Sequence, residues 1–219
     1  EYKDAVFTDN GDIILGGYVR SPYFWSDDRS REHGDSGYGI FVVRFSGEDG
    51  SYLWHRVFRN NGPDAYPTAG KDLKLGADSH DNIFVCSDFN GQAEFDSIVL
   101  NAVENDHDNL PGEVVVASMS GTSGEVSWAR SFGRVSSDRC RGMVVSPYFD
   151  DQLTILYSSM GGGPSTDMMG DEFNAEFRDT HYYGLARVSR EDGSLIDFVA
   201  APLIWSSAHL QPPRVQEVA

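Results

Sequence analysis

The residues of this chain best suited to chemistry are oxygen donors gathered in one stretch, Glu104-Asn105-Asp106-His107-Asp108-Asn109. The carboxylates of Glu104, Asp106 and Asp108 alternate along it, and hard oxygen ligands in that order suit calcium. The stretch has neither the glycine that bends an EF-hand loop nor its distant bidentate glutamate. Its first reading is therefore a solvated acidic loop, with a calcium site as the alternative. The histidines at 33, 55, 80, 107, 181 and 209 have no zinc-ligand spacing. No Gly-x-Ser-x-Gly motif marks a serine nucleophile. Ser46, Ser120 and Ser189 share one strand-end position, which suits a turn cap better than catalysis. No catalytic residue is assigned.

The acidic stretch belongs to one of three long connections. Arg20–Tyr38 displays the aromatics Tyr23, Phe24 and Trp25, Gly91–Gly112 is strongly acidic, and Ser159–His181 carries Asp171 and Glu172. Binding usually resides in loops held by a rigid scaffold. Tyr23, Phe24, Trp25, Asp171 and Glu172 are accordingly the binding-loop candidates.

What must position these loops is a pattern stated three times, at a period of roughly 70 residues. Asp12-Ile13-Ile14-Leu15 is echoed by Asn82-Ile83-Phe84-Val85 and by Gln152-Leu153-Thr154-Ile155. Strand-and-turn segments at Val42–Gly50, Val116–Gly124 and Leu185–Gly193 also align, each ending in glycine. Units are expected at about 1–70, 71–140 and 141–201, with 202–219 as the start of a further strand or a tail. Each reads as four short strands. The first has Ala5–Thr8, Ile13–Val19, Ile40–Ser46 and Tyr52–Phe58; the second has Leu73–Ala77, Ile83–Phe89, Val114–Ser120 and Val126–Phe132. The third has Met143–Val145, Leu153–Ser158, Tyr183–Ser189 and Leu195–Ala200. Asp9-Asn10-Gly11 between apolar runs is a hairpin signal, because these residues tolerate positive φ. No segment keeps a helical apolar period with caps.

The expected fold is all-β: about three four-stranded antiparallel units of β-propeller type in one domain, residues 1–219. Ile40-Phe41-Val42-Val43 is apolar on both faces, as a sheet between two neighbours requires. Trp54 and Trp128 hold one register, each four residues after its glycine, Gly50 or Gly124. Large aromatics at a fixed register point to packing between units. The third unit has Asp197 in that place after Gly193, so it is degenerate or lies at an edge. Propellers need roughly four to eight units. Three units suggest a piece of a larger ring, or one completed by another chain.

The second unit carries Phe89-Asn90-Gly91, Phe95-Asp96, Val115-Val116-Ala117 and Trp128-Ala129-Arg130-Ser131-Phe132-Gly133. The first keeps Gly17-Tyr18 and Trp54-His55-Arg56-Val57-Phe58. With these residues the chain resembles the β-propeller repeat family called SBBP, found in large secreted and surface proteins, over most of its length to about residue 200. The resemblance implies an extracellular or cell-surface location and a structural role. A weaker similarity is to quinoprotein-type propellers through the Gly-x-x-x-Trp register. Those enzymes bind a quinone cofactor and calcium, often beside adjacent cysteines, and this chain has no adjacent cysteine pair.

Charge narrows the functional classes. Lys and Arg total 17 against 34 Asp and Glu, a net charge of −17, with no basic stripe to face phosphates. That excludes nucleic acid as an expected partner. No apolar run approaches the ~20 residues that span a bilayer. Cys86 and Cys140 lie in different units at non-equivalent positions, so the expectation is two unpaired cysteines, with one bridge as the alternative. The functional expectation is a non-enzymatic propeller segment acting in scaffolding, adhesion or assembly, through a protein partner or further units of the same polypeptide. The alternatives are a carbohydrate- or calcium-dependent binding module, and a hydrolase or quinoprotein whose site missing units complete.

Overall fold

The computed structural model describes residues 1–19, 38–61, 72–89, 91–102, 113–133, 138–148, 151–160 and 181–202. They form strands β1 (Tyr2–Phe7), β2 (Ile13–Val19), β3 (Tyr38–Phe45), β4 (Tyr52–Asn61), β5 (Lys74–Ala77), β6 (Asn82–Phe89) and β7 (Gln92–Phe95). Next come β8 (Ile98–Asn101), β9 (Glu113–Ser120), β10 (Val126–Phe132), β11 (Asp138–Val145), β12 (Gln152–Met160), β13 (His181–Ser189) and β14 (Leu195–Pro202). All pairing is antiparallel. The first sheet runs β1-β2-β3-β4-β7-β8, the second β5-β6-β9-β10, and the third β11-β12-β13-β14.

The first sheet departs from the four-strand expectation. Part of the segment expected to be a long acidic loop, Gly91–Gly112, folds as the β7–β8 hairpin and pairs through Arg59↔Glu94, Asn60↔Ala93 and Asn61↔Gln92 onto β4. The cause is a short alternation. Ala93 and Phe95 turn inward and are buried, and Phe95 stacks on Phe58 with ring centroids 4.7 Å apart. Asp96 turns the hairpin at φ 51, and its Oδ2 accepts the Val126 N–H of β10 at 2.9 Å. The second repeat thus lends two strands to the first sheet and returns to its own.

The second sheet is buried on both faces, which explains the unbroken apolar runs of β6 and β9. One face puts Ile83, Val85, Val115, Ala117 and Met119 against Ile14, Val42 and Phe58 of the first sheet. The other puts Phe84, Val116, Trp128 and Phe132 against Leu153, Ile155, Val188 and Phe198 of the third. At roughly 1.5–3 kcal/mol for each fully buried large apolar side chain, these two layers are the main stabilising term.

Cys86 and Cys140 are bonded, contrary to the expectation of two unpaired cysteines. Their non-equivalent positions permit the bond. Cys86 on β6 and Cys140 on β11 both enter the layer between the second and third sheets, with Cα atoms 6.1 Å apart, within the usual range. The bridge closes a separation of 54 residues, for which chain entropy gives about 4 kcal/mol. Reduction, or the pair of substitutions Cys86→Ser and Cys140→Ser, should lower unfolding free energy by up to about that amount. Urea titration with and without reductant measures it. Equal midpoints would show that the bridge is not a brace.

Candidate functional site

The polar groups of the described structure gather at the two ends of the strands. At one end lie the short turns, and their geometry starts from serine. Ser46 Oγ accepts the N–H groups of Glu48 and Asp49, Ser120 Oγ that of Ser123, and Ser189 Oγ that of Glu191. Each turn closes on a glycine at positive φ: Gly50 at 72°, Gly124 at 72° and Gly193 at 74°. A side chain would be strained in that region.

Two of the turns are gripped by the preceding sheet. Trp54 Nε1 donates to the Gly121 carbonyl at 2.6 Å, and Arg56 donates to the carbonyls of Gly124 at 3.1 Å and Ser123 at 2.9 Å. Trp128 Nε1 likewise donates to the Arg190 carbonyl at 2.7 Å, and Arg130 to the Asp192 carbonyl at 3.1 Å. A Cβ on Gly124 would sit 3.0 Å from the Trp54 ring, and one on Gly193 would sit 2.6 Å from that of Trp128. Glycine is therefore required twice over, for its φ and for the close approach. Among the described residues the third sheet has no such clasp; Asp197 stands in the tryptophan register and pairs with Arg187 of its own sheet.

Arg44 adds a second tie between the first two sheets. It is buried within the apolar strand β3, yet it reaches Asp12 at 2.7 and 2.8 Å and Asp81 of the second sheet at 2.7 Å. The Gly47 N–H and then Arg44 hold the Asp12 carboxyl below its usual range. A charge held this way is satisfied, although a buried ion pair contributes little net stability after desolvation.

The opposite end carries a buried acidic group. Asp88 is the last residue but one of β6, Glu113 begins β9 and Asp138 begins β11, and all three are buried. Glu113 and Asp138 flank Gly133, where a Cβ would meet Glu113 Cγ at 2.6 Å and Asp138 Oδ2 at 2.9 Å. Asp88 Oδ1 accepts the Asp72 N–H at 3.3 Å, and Arg141 bridges Asp72 at 2.9 Å and Ser158 Oγ at 2.8 Å. Burial pushes the Asp88 carboxyl up from 3.8 to about 6. This end can take up a proton near neutral pH. Among the described residues no group of three or more His, Cys, Asp or Glu is arranged to hold a metal.

Of the residues singled out by sequence, Trp54, Trp128, Gly50, Gly124 and Gly193 lie at the short-turn end. Tyr23, Phe24, Trp25, Glu104, Asp106, Asp108, Asp171 and Glu172 fall outside the described residues. Sequence reasoning passed over Arg44, Asp81, Asp88, Glu113 and Asp138. Arg44 had a legible signal, a lone cation inside an apolar strand. Asp78 caps its turn, accepting from His80 and Asn82, while Asp81 reaches across to Arg44.

Two outcomes are expected here. Trp128→Phe keeps the ring but strands the Arg190 carbonyl, and should cost about 1 kcal/mol; Trp128→Ala should cost about 3–5 kcal/mol. A Trp128→Phe variant that loses nothing in denaturant melts would show that the indole N–H contributes nothing. For Asp88 the folded carboxyl titrates above the unfolded one, so the folded state binds more protons between about pH 4 and 6. Its burial penalty is absent below that window and complete above it. Asp88→Asn should raise stability at pH 7 by roughly 2–3 kcal/mol and change little at pH 4. A variant stabilised equally at both pH values would refute the assignment.

A scan against protein-family models and a search of curated proteins found no match to this chain.

Proposed function

We propose that the chain forms three consecutive units of a β-propeller and acts as a non-enzymatic scaffold, in adhesion or assembly, within a secreted or surface-associated protein. The observation that carries this reading is the chemistry of the two outer faces. On the outward face of the first sheet Phe7 and Tyr52 are 70% and 51% exposed, in one row with Ile13 and Phe45. On that of the third, Leu156, Leu185 and Val199 form a cross-strand row with Tyr183 beside it, and the four are 36–47% exposed. These are the register positions at which the inner sheets pack on one another. Apolar patches of this kind mark surfaces meant to be covered.

Taper supports the radial arrangement. Close to β5, the sheets approach through glycine: a Cβ on Gly16 of β2 would sit 2.7 Å from Leu73, and one on Gly76 of β5 only 2.4 Å from Val145 of β11. On the fourth strands the contacts are made by Trp54, Phe58, Trp128 and Phe132. Small residues at one edge and large ones at the other splay the sheets like segments of a ring. The bridge between Cys86 and Cys140 suits an oxidising, extracytoplasmic setting.

The test uses the outward face of the third sheet. Tyr183→Lys with Leu185→Lys should leave the chain folded, with its melting temperature within a few degrees, because these side chains already meet solvent. Placed in the natural polypeptide, the same pair should prevent compact assembly, read by light scattering and by electron microscopy of the particle. A normal particle carrying both lysines would overturn the scaffolding reading.

A further inference from the structure

The three short turns are built alike but are not used alike. Ser46 N–H donates to the Ser51 carbonyl at 2.8 Å, and Gly50 N–H to the Ser46 carbonyl at 2.9 Å. The same two bonds measure 2.8 and 2.7 Å in the turn at Ser120 and 2.8 and 3.0 Å in the turn at Ser189. In the second and third turns Gly121, Gly124, Arg190 and Gly193 are buried, and Gly124 and Gly193 lie against the incoming tryptophan and arginine. In the first turn Gly47, Glu48, Asp49 and Gly50 are all exposed, and a Cβ built on Gly50 would meet nothing within 4 Å.

We propose that the Gly47–Gly50 turn is a preformed receptor for the fourth strand of a further repeat bearing a Trp-x-Arg pair, which docks on the outward face of the first sheet. By register, the partner's indole N–H donates to the Gly47 carbonyl and its guanidinium to the carbonyls of Asp49 and Gly50. The row holding Ile13, Phe45 and Tyr52 receives the apolar side chains of that sheet, as Ile83, Val85 and Val115 receive those of the first. Little ordering remains to be done on the receptor side, which favours association.

The occupant is not a second copy of this chain. Trp54–Arg56 and Trp128–Arg130 are already engaged within it, and the third sheet carries Asp197 and Val199 at the corresponding positions. Assembly at this face is therefore directional: the chain receives a clasp at the first sheet and cannot supply one from the third. This inference rests on the scaffolding reading and adds the chemistry of one partner.

The receptor can be tested with the chain itself as the probe. Asp197→Trp with Val199→Arg installs the missing pair on the third sheet, at positions 34% (side chain) and 44% exposed. Adding Asp49→Lys to that donor closes its own receptor, by setting a like charge against the incoming arginine. Mixed with the unmodified chain, this triple variant should form a one-to-one complex in sedimentation velocity. The Asp49→Lys chain, used in place of the unmodified one, should bind at least about tenfold more weakly. A folded donor, with native circular dichroism and an intact bridge, that fails to associate would overturn the proposal, as would association indifferent to Asp49→Lys.

If the donor does not fold, a photo-crosslinking residue in place of Glu48 in the natural polypeptide decides. Capture of a strand carrying Trp-x-Arg supports the receptor, and capture of any other element refutes it. Failure of the receptor leaves scaffolding through other surfaces intact, whereas failure of the Tyr183→Lys/Leu185→Lys test strikes the scaffolding reading itself.

Discussion

A β-sheet apolar on both faces has no stable existence alone, and the second sheet of this protein is such a sheet. Everything else follows from covering it. β6 and β9 contribute side chains to both layers, so the first and third sheets are held in place by the same strands from opposite sides. Hydrophobic burial is strong but undirected. Direction is supplied at the rim, where Trp54, Arg56, Trp128 and Arg130 seek particular carbonyls on the neighbouring turn. The core decides that sheets stack, and the clasps decide how far each slides along the next.

Much of this plan was legible beforehand, because packing leaves periodic marks. The alignment of Gly50, Gly124 and Gly193 located three turns, and β2 and β10 run over the expected residues. The tryptophan register announced a contact between sheets without revealing its acceptors, since a backbone carbonyl has no sequence signature. The β7–β8 hairpin was not legible. Its strands have four residues each, too few to establish a period, and Asp96-Ser97 is a weaker turn signal than Asn-Gly. The bridge escaped for a related reason: comparing repeats finds equivalent positions, and Cys86 and Cys140 are joined because they are not equivalent.

The polar groups were the least legible. Asp88, Glu113 and Asp138 stand 25 positions apart at each step in the sequence, and only the meeting of β6, β9 and β11 at one end brings them near each other. Nothing in their flanking residues distinguishes them from the many acidic residues that face solvent. Arg44 differs, because a charge amid Ile40, Val42 and Val43 demands a partner somewhere in the fold.

The hairpin lent by the second repeat to the first sheet alters what the unit of inheritance and of folding can be. Repeats in tandem are often treated as beads that can be added or deleted one at a time. Here the boundary between the first two is crossed twice, outward from β6 to β7 and back from β8 to β9, and a bridge spans the boundary between the second and third. Removing one repeat would leave its neighbour with an unpaired edge or an orphaned thiol. The three sheets are therefore expected to unfold as one interlocked piece.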